Sequence, residues 1–382
     1  MSSGLKWEVH NPGGGRRVVV TKELPGRRWL EILAAADCRV EVCLEARALR
    51  QEELLAAFTP GCAGAIGQIT ETWDRKVFAA FKAAGGRAYS NYAVGLDNVE
   101  LPAATELGIP VGNTPGVLTQ ATAEMGVALT LAAARRLGEA ERFLRSGRWQ
   151  SWLPGLFMGH QLAGKTLGVV GAGRIGAAYA RIMLAGFGMN LLYWSRRPKP
   201  ELERFVADLS AFRQAQGESA LWCRRVELDE LLRDSQVVSL NPALTPDTHH
   251  LIGAAELALM PADAVLVNLS RGPVIDEAAL VEHLRSHPEF RVGLDVFEQE
   301  PRLSPGLTEL ENAVLVPHLG SATRWAREGM AVLAARNLVA LLEGWPVWEG
   351  GEVEPFLGDE PPRAAPSVVN AAELGLPRLG SG

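Results

Sequence analysis

The stretch Gly164-Lys165-Thr166-Leu167-Gly168-Val169-Val170-Gly171-Ala172-Gly173-Arg174-Ile175-Gly176 decides the fold. A short apolar run over 167–170 gives way to Gly171, Gly173 and Gly176 in a Gly-x-Gly-x-x-Gly pattern, and strong helix formers continue over 177–187. The order is strand, tight turn, helix. Glycine permits such a turn and lets the main chain approach a pyrophosphate. The amides of the helix's first turn, here Arg174, Ile175 and Gly176, then face anionic oxygens. A second strand, 190–194, follows at the expected distance. The position after it, where an acid commonly holds an adenosine ribose, is Ser195, followed by Arg196 and Arg197. A glycine turn alone also serves ordinary packing; with a strand before, a helix after and a second strand in place, it predicts dinucleotide binding.

With 382 residues, 47% hydrophobic and 21% charged, the chain reads as globular and too long for one ordinary core, which predicts two domains. A net charge of -6 without any long basic run argues against nucleic acid as a partner. The four cysteines, Cys38, Cys43, Cys62 and Cys223, have neither Cys-x-x-Cys nor zinc spacing and fit a reduced, intracellular setting with no metal. Apolar stretches are interrupted well before a bilayer-spanning length and no secretory apolar segment opens the chain, so a soluble protein with no membrane partner is expected.

Outward from the fingerprint, 1–17 reads as a loose lead-in. Strands are predicted at 17–21, 40–44, 64–68, 87–90 and 109–112, with helices at 29–36, 51–58 and 73–84 between them. Asn91-Tyr92-Ala93-Val94-Gly95-Leu96-Asp97-Asn98 is a glycine-bearing loop with backbone amides to offer. After Asn113-Thr114-Pro115-Gly116 one long helix is expected over 118–137. The aromatic segment 143–159, with Trp149, Trp152, Phe157 and Met158, reads equally as core or as an arm packing against a second subunit. Beyond the fingerprint, 199–226 looks inserted, with a helix laid on the surface. Strands at 237–240, 264–269, 292–296 and 313–316 alternate with helices at 254–259 and 277–286, completing a doubly wound sheet. A second long helix, 325–343, carries the chain back, and a Pro-rich tail runs from 354. The expected architecture is α/β: two Rossmann-like doubly wound domains with a cleft between them, the first discontinuous. It would hold 1–116 plus 330–382 and bind substrate, with 117–329 as the dinucleotide-binding domain.

Three polar motifs follow strands of the dinucleotide half: Asn268-Leu269-Ser270-Arg271-Gly272, Asp295-Val296-Phe297-Glu298-Gln299-Glu300-Pro301 and Pro317-His318-Leu319-Gly320-Ser321. Arginine offers a forked donor for a carboxylate, histidine a proton near neutral pH, and a glutamate beside that histidine would favour imidazolium. Singly, each could be a surface ion pair or a solvated turn residue; together, after strands, they point to catalysis.

With the motifs Asn113 to Thr119, Gly171 to Gly176, Ser270 to Glu277, Gly293 to Phe297 with Glu300-Pro301, and Val316-Pro317-His318, the chain resembles the D-isomer-specific 2-hydroxyacid dehydrogenases over nearly its whole length. Within that family it is most like the hydroxypyruvate reductases of plant photorespiration. The resemblance implies reduction of hydroxypyruvate to D-glycerate with NADH or NADPH by a homodimer, and of glyoxylate to glycolate as a side activity. It implies that Arg271 binds the substrate carboxylate and keto oxygen, His318 is the general acid and Glu300 its partner. Asp295 would hold the nicotinamide carboxamide, Val94 and Gly95 amides the substrate carboxylate, and Ser270, Pro242, Thr248, His318 and Gly320 would line the cofactor.

Two departures stand out. The plant type carries aspartate where this chain has Ser195, so NADPH is not repelled, and Arg196 and Arg197 could hold its 2′-phosphate. The C-terminus reads Leu379-Gly380-Ser381-Gly382 rather than the Ser-Lys-Leu address of the resemblance, leaving peroxisome, mitochondrion and cytosol open. Alternative readings are another 2-keto acid reductase of the family or a non-enzymatic NAD(H) sensor akin to corepressors.

Overall fold

The computed structural model describes residues 4–380, so Ser381 and Gly382 of the C-terminal reading lie outside the described residues. The chain divides into two compact units, one formed by 4–118 with 322–380 and the other by Thr119–Ser321. The expected return point at 330 falls inside a helix, Arg324–Glu343, that belongs whole to the first unit. That helix is capped by Thr323, whose hydroxyl accepts from the Ala326 amide at 3.2 Å, and it ends at Gly344 with φ 73°. A boundary inside it would cut intrahelical hydrogen bonds.

In the first unit, strands β1 (Trp7–His10), β2 (Arg16–Val20), β3 (Cys38–Cys43), β4 (Cys62–Gly67), β5 (Ala88–Asn91) and β6 (Val111–Gly112) form one sheet in the order β1-β3-β2-β4-β5-β6. The last five are parallel, the arrangement of flavodoxin-like doubly wound sheets, while β1 runs antiparallel along β3. The expected loose lead-in is therefore partly an edge strand. Its half-exposed residues carry little local signal, and its pairing with β3 is a tertiary event. A short helix, Leu101–Glu106, was also not foreseen. Trp73, Phe78, Phe81 and Tyr89 fill one face, with the Trp73 and Tyr89 rings 3.9 Å apart.

In the second unit, β7 (Thr166–Val170), β8 (Asn190–Trp194), β9 (Cys223–Arg225), β10 (Val237–Leu240), β11 (Val265–Asn268), β12 (Arg291–Leu294) and β13 (Ala313–Leu315) are all parallel. Their order, β13-β12-β11-β10-β7-β8-β9, is that of a dinucleotide-binding sheet, with its switch point between β7 and β10. Alternate strand residues supply two cores. Leu167, Val169, Leu191 and Val267 face one set of helices; Val170, Leu192, Leu266 and Val292 face the other. Strands buried on both faces read as near-continuous apolar runs, which is why they were legible.

Two expectations need correction here. The long helix 118–137 is two helices, Thr119–Ala134 and Leu137–Arg145, broken where Arg136 takes φ 55°. The segment 199–226 is no insertion: the helix Pro200–Ala215 buries Leu202 and Val206 in the core and delivers the edge strand β9, so it is an ordinary crossover. A further short helix, Leu228–Asp234, follows it.

The Pro-rich tail is packed onto the first unit. Strand β14 (Val347–Trp348) pairs with β15 (Arg378–Leu379), and buried Asn370 accepts from the Val111 amide at 2.9 Å and donates to the Ile109 carbonyl at 3.0 Å. No described helix is long and apolar enough to cross a membrane, and among the described residues no cluster could hold a metal ion.

Candidate active site

Parallel neighbours β11, β12 and β13 end on one edge of the second unit's sheet, and each delivers one of the three polar motifs there. After β11, buried Asn268 organises the turn. Its Oδ1 accepts from the Ser270 amide at 3.0 Å and hydroxyl at 2.9 Å, and its Nδ2 donates to the Arg271 carbonyl at 2.9 Å. Arg271 Nη1 donates to the Ser270 carbonyl at 2.8 Å. Gly272 follows, in so close an approach to the next loop that a Cβ would stand 1.8 Å from the Phe297 carbonyl carbon.

After β12, the loop 295–300 folds back on itself through the Phe297 amide, which donates to Glu300 Oε1 at 3.0 Å. The other oxygen, Oε2, lies 2.9 Å from His318 Nδ1. His318 itself holds φ 52°, a left-handed conformation, and its amide donates to the Asp295 carbonyl at 2.9 Å. The next two amides, of Leu319 and Gly320, donate to the Asp295 carboxylate at 2.5 and 2.8 Å. Asp295, which the resemblance places at the nicotinamide, thus also pins the turn that carries the histidine.

Burial on its own would raise the Glu300 carboxyl; the hydrogen bond and charge of His318, the Phe297 amide and the Arg271 charge outweigh it and hold the group below its ordinary value. Burial dominates at Asp295 and raises its carboxyl despite the two amides. His318 and Glu300 are 33% and 37% exposed, open enough to meet a ligand. With Nδ1 committed to a carboxylate, the proton this imidazole can deliver is the one on Nε2.

At the glycine turn, Gly171 has φ 88°, and a Cβ there would meet the Pro242 nitrogen at 2.7 Å, bringing the ends of β7 and β10 together. Gly173 caps the helix Arg174–Phe187 and has open space where its Cβ would be. The first intrahelical bond runs from the Ala177 amide to Gly173, leaving the amides of Arg174, Ile175 and Gly176 for an anion. A Cβ on Gly176 would lie 2.4 Å from the Gly171 carbonyl, so the third glycine sets strand-to-helix packing. These residues fit a dinucleotide. Past β8, Ser195 is buried, with its hydroxyl donating to the Arg197 carbonyl, while Arg196 and Arg197 are exposed. Thr248, expected near the cofactor, ties its own turn by donating to the Ala243 carbonyl at 2.7 Å.

In the first unit, the loop after β5 is held by its carbonyls. Asn91 donates to Gly95 and Asn113 to Val94, each at 3.0 Å, and Asn337 in turn donates to the Asn113 carbonyl at 2.8 Å. The Val94 and Gly95 amides donate to no acceptor among the described residues, so they are available to an anion.

Residues not singled out from sequence complete the picture. Glu298, two residues before Glu300, accepts from His250 at 2.9 Å and from the Glu277 amide at 3.2 Å, and its own amide donates to Glu277 at 2.6 Å. Asn268 is the other. An Asn or Glu at a strand end is a recognisable turn former, but its partners lie in loops distant in sequence.

Such a sheet, turn and histidine–glutamate pair define a nicotinamide-dependent dehydrogenase of 2-hydroxy acids. Residues 127–320 match the family model for the D-isomer specific 2-hydroxyacid dehydrogenase NAD binding domain, and the chain belongs to that family. It is 52% identical over 380 residues to a glycerate dehydrogenase of Cucumis sativus, covering 98% of this chain and 100% of that one. It is 50% identical over 382 residues to a peroxisomal glycerate dehydrogenase of Arabidopsis thaliana, covering 99% of each. Among solved structures, an NADPH-dependent glyoxylate/hydroxypyruvate reductase from Sinorhizobium meliloti, in complex with NADP and malonate, superposes with a TM-score of 0.71 at 28% identity, covering 96% of this chain and 99% of that one.

Proposed function

We propose that this dehydrogenase reduces hydroxypyruvate to D-glycerate with NADH or NADPH, and glyoxylate to glycolate as a side activity. The observation that carries the reading is the 2.9 Å His318–Glu300 pair set beside the Arg271 turn on one sheet edge. When bound, the reduced dinucleotide supplies the hydride. The Arg271 guanidinium binds the substrate's carboxylate and keto oxygen, polarising the carbonyl. His318 delivers the Nε2 proton to that oxygen as negative charge develops on it, and the Glu300 carboxylate orients the imidazole through Nδ1. The amides of Val94 and Gly95 are proposed as further donors to the carboxylate. Ser195 brings no charge against a 2′-phosphate, and Arg196 and Arg197 support the use of NADPH.

The test is the initial rate of nicotinamide absorbance loss with hydroxypyruvate, run in parallel with NADH and NADPH. Turnover with at least one, faster than with glyoxylate, is expected. Tight dinucleotide binding without turnover of any 2-keto acid would replace the enzyme by a sensor of NAD(H).

We also propose a homodimer. Trp149, Trp152 and Met158 are 53%, 76% and 69% exposed in the single chain, so these side chains are not core, and aromatic and Met side chains of this kind are enriched at interfaces between subunits. Light scattering should give twice the 41.1 kDa chain mass, and Trp152→Asp should shift it toward one chain. A wild-type mass of a single chain at micromolar concentration would refute the dimer.

A further inference from the structure

The end of β8 receives a third guanidinium that sequence spacing does not reveal. Strand β9 lies parallel to β8 with Arg225 opposite Tyr193, and the Arg225 side chain reaches across to the turn beyond it. Nε donates to the Ser195 carbonyl at 3.1 Å and Nη2 to the Arg196 carbonyl at 3.4 Å. The Ser195 hydroxyl takes the Arg197 carbonyl. All three carbonyls of 195–197 therefore have donors, and none is left bare to repel an incoming anion.

The charge balance points the same way. Among the described residues, Arg196, Arg197 and Arg225 form no ion pair, whereas the adjacent Arg224 is paired with Glu230 at 3.2 Å and lies 5.3 Å over the Trp222 ring. Three unneutralised guanidinium groups thus gather where, in a sheet of this order, the adenosine ribose of a dinucleotide rests. A 2′-phosphate adds about two negative charges at that point.

Resting on the dinucleotide reading above, we infer that Arg225 is a positioning residue for 2′-phosphorylated cofactor: its fork locks the 195–197 turn so that Arg196 and Arg197 face the phosphate, and its charge adds to theirs. The fork matters as much as the charge, because lysine cannot hold two carbonyls in this geometry.

The test measures dissociation constants of NADPH and NADH by calorimetry on the full chain, for wild type, Arg225→Ala and Arg225→Lys. Arg225→Ala should weaken NADPH by about tenfold or more and NADH by less than about threefold, with Arg225→Lys between wild type and alanine for NADPH. Equal weakening of both cofactors would reduce Arg225 to general scaffolding and overturn the inference, as would an unchanged NADPH constant in both variants. Wild-type protein that binds NADH but not NADPH would overturn this inference and the NADPH reading together. Wild type that binds neither would overturn the dinucleotide reading itself.

Discussion

Replacing His318 by alanine is expected to cut kcat/KM for hydroxypyruvate reduction by about 10³-fold, while the dissociation constants of NADH and NADPH move by less than about fivefold. The split follows from position. His318 stands on the turn after β13, on the same sheet edge as Arg271, whereas the dinucleotide's phosphates would sit at the glycine turn after β7, four strands away. Glu300→Gln keeps the shape of its partner and removes the charge. The hydrogen bond and charge of His318, with the Phe297 amide and the Arg271 charge, outweigh burial and hold the Glu300 carboxyl below its ordinary value, so the glutamate faces the imidazole as a carboxylate. Without it, the imidazole loses its charged partner at Nδ1, and kcat should fall by about tenfold or more. The stability sign is separate: a carboxyl whose folded value lies below its unfolded one stabilises above the unfolded value, and that contribution is lost as pH falls through the folded value. An alanine variant retaining a tenth of wild-type activity, or a glutamine variant with unchanged kcat, would remove His318 and Glu300 from the proposed roles.

Gly272→Ala should be the most damaging conservative change in the second unit. The added methyl would lie 1.8 Å from the Phe297 carbonyl carbon, 2.0 Å from its oxygen and 2.3 Å from the Glu298 nitrogen, all main-chain atoms that no rotamer change can move. The neighbourhood cannot yield cheaply either, because the two loops are joined by reciprocal hydrogen bonds between Glu277 and Glu298. Forcing them apart should cost about 3 kcal/mol or more, seen as a fall in Tm of roughly 6–12 °C. Arg271 and Glu300 lie on either side of this contact, so turnover should fall by at least about 10²-fold even below the melting range. A variant that melts and turns over like wild type would show that the approach of the two loops is looser than described.

Much of the second unit was legible because its strands are buried on both faces. The expected bounds 190–194, 237–240, 254–259 and 277–286 coincide with the elements found. The misses share a cause. Arg136 breaks a helix through one left-handed residue that propensity does not flag, and β1 exists only because β3 offers it an edge. The Pro-rich tail from 354 showed no sign of its packing: Phe356 is buried against the Trp348 ring, and Asn370 against Val111 and Ile109, far earlier in the chain.

Local sequence by itself determined the strand–turn–helix at Gly171 to Gly176, the apolar strands and the identity of the polar motifs, because backbone freedom, hydrophobic period and side-chain chemistry are properties of neighbours along the chain. Only the tertiary structure decided that Asp295 grips the turn bearing His318, that Glu298 clasps Glu277 rather than the histidine of the site, and that Arg225 leans on the turn at Ser195. Those are contacts between ends of strands that are adjacent only in the sheet. Their order is set by which apolar faces and crossovers pack together, and no local stretch encodes it.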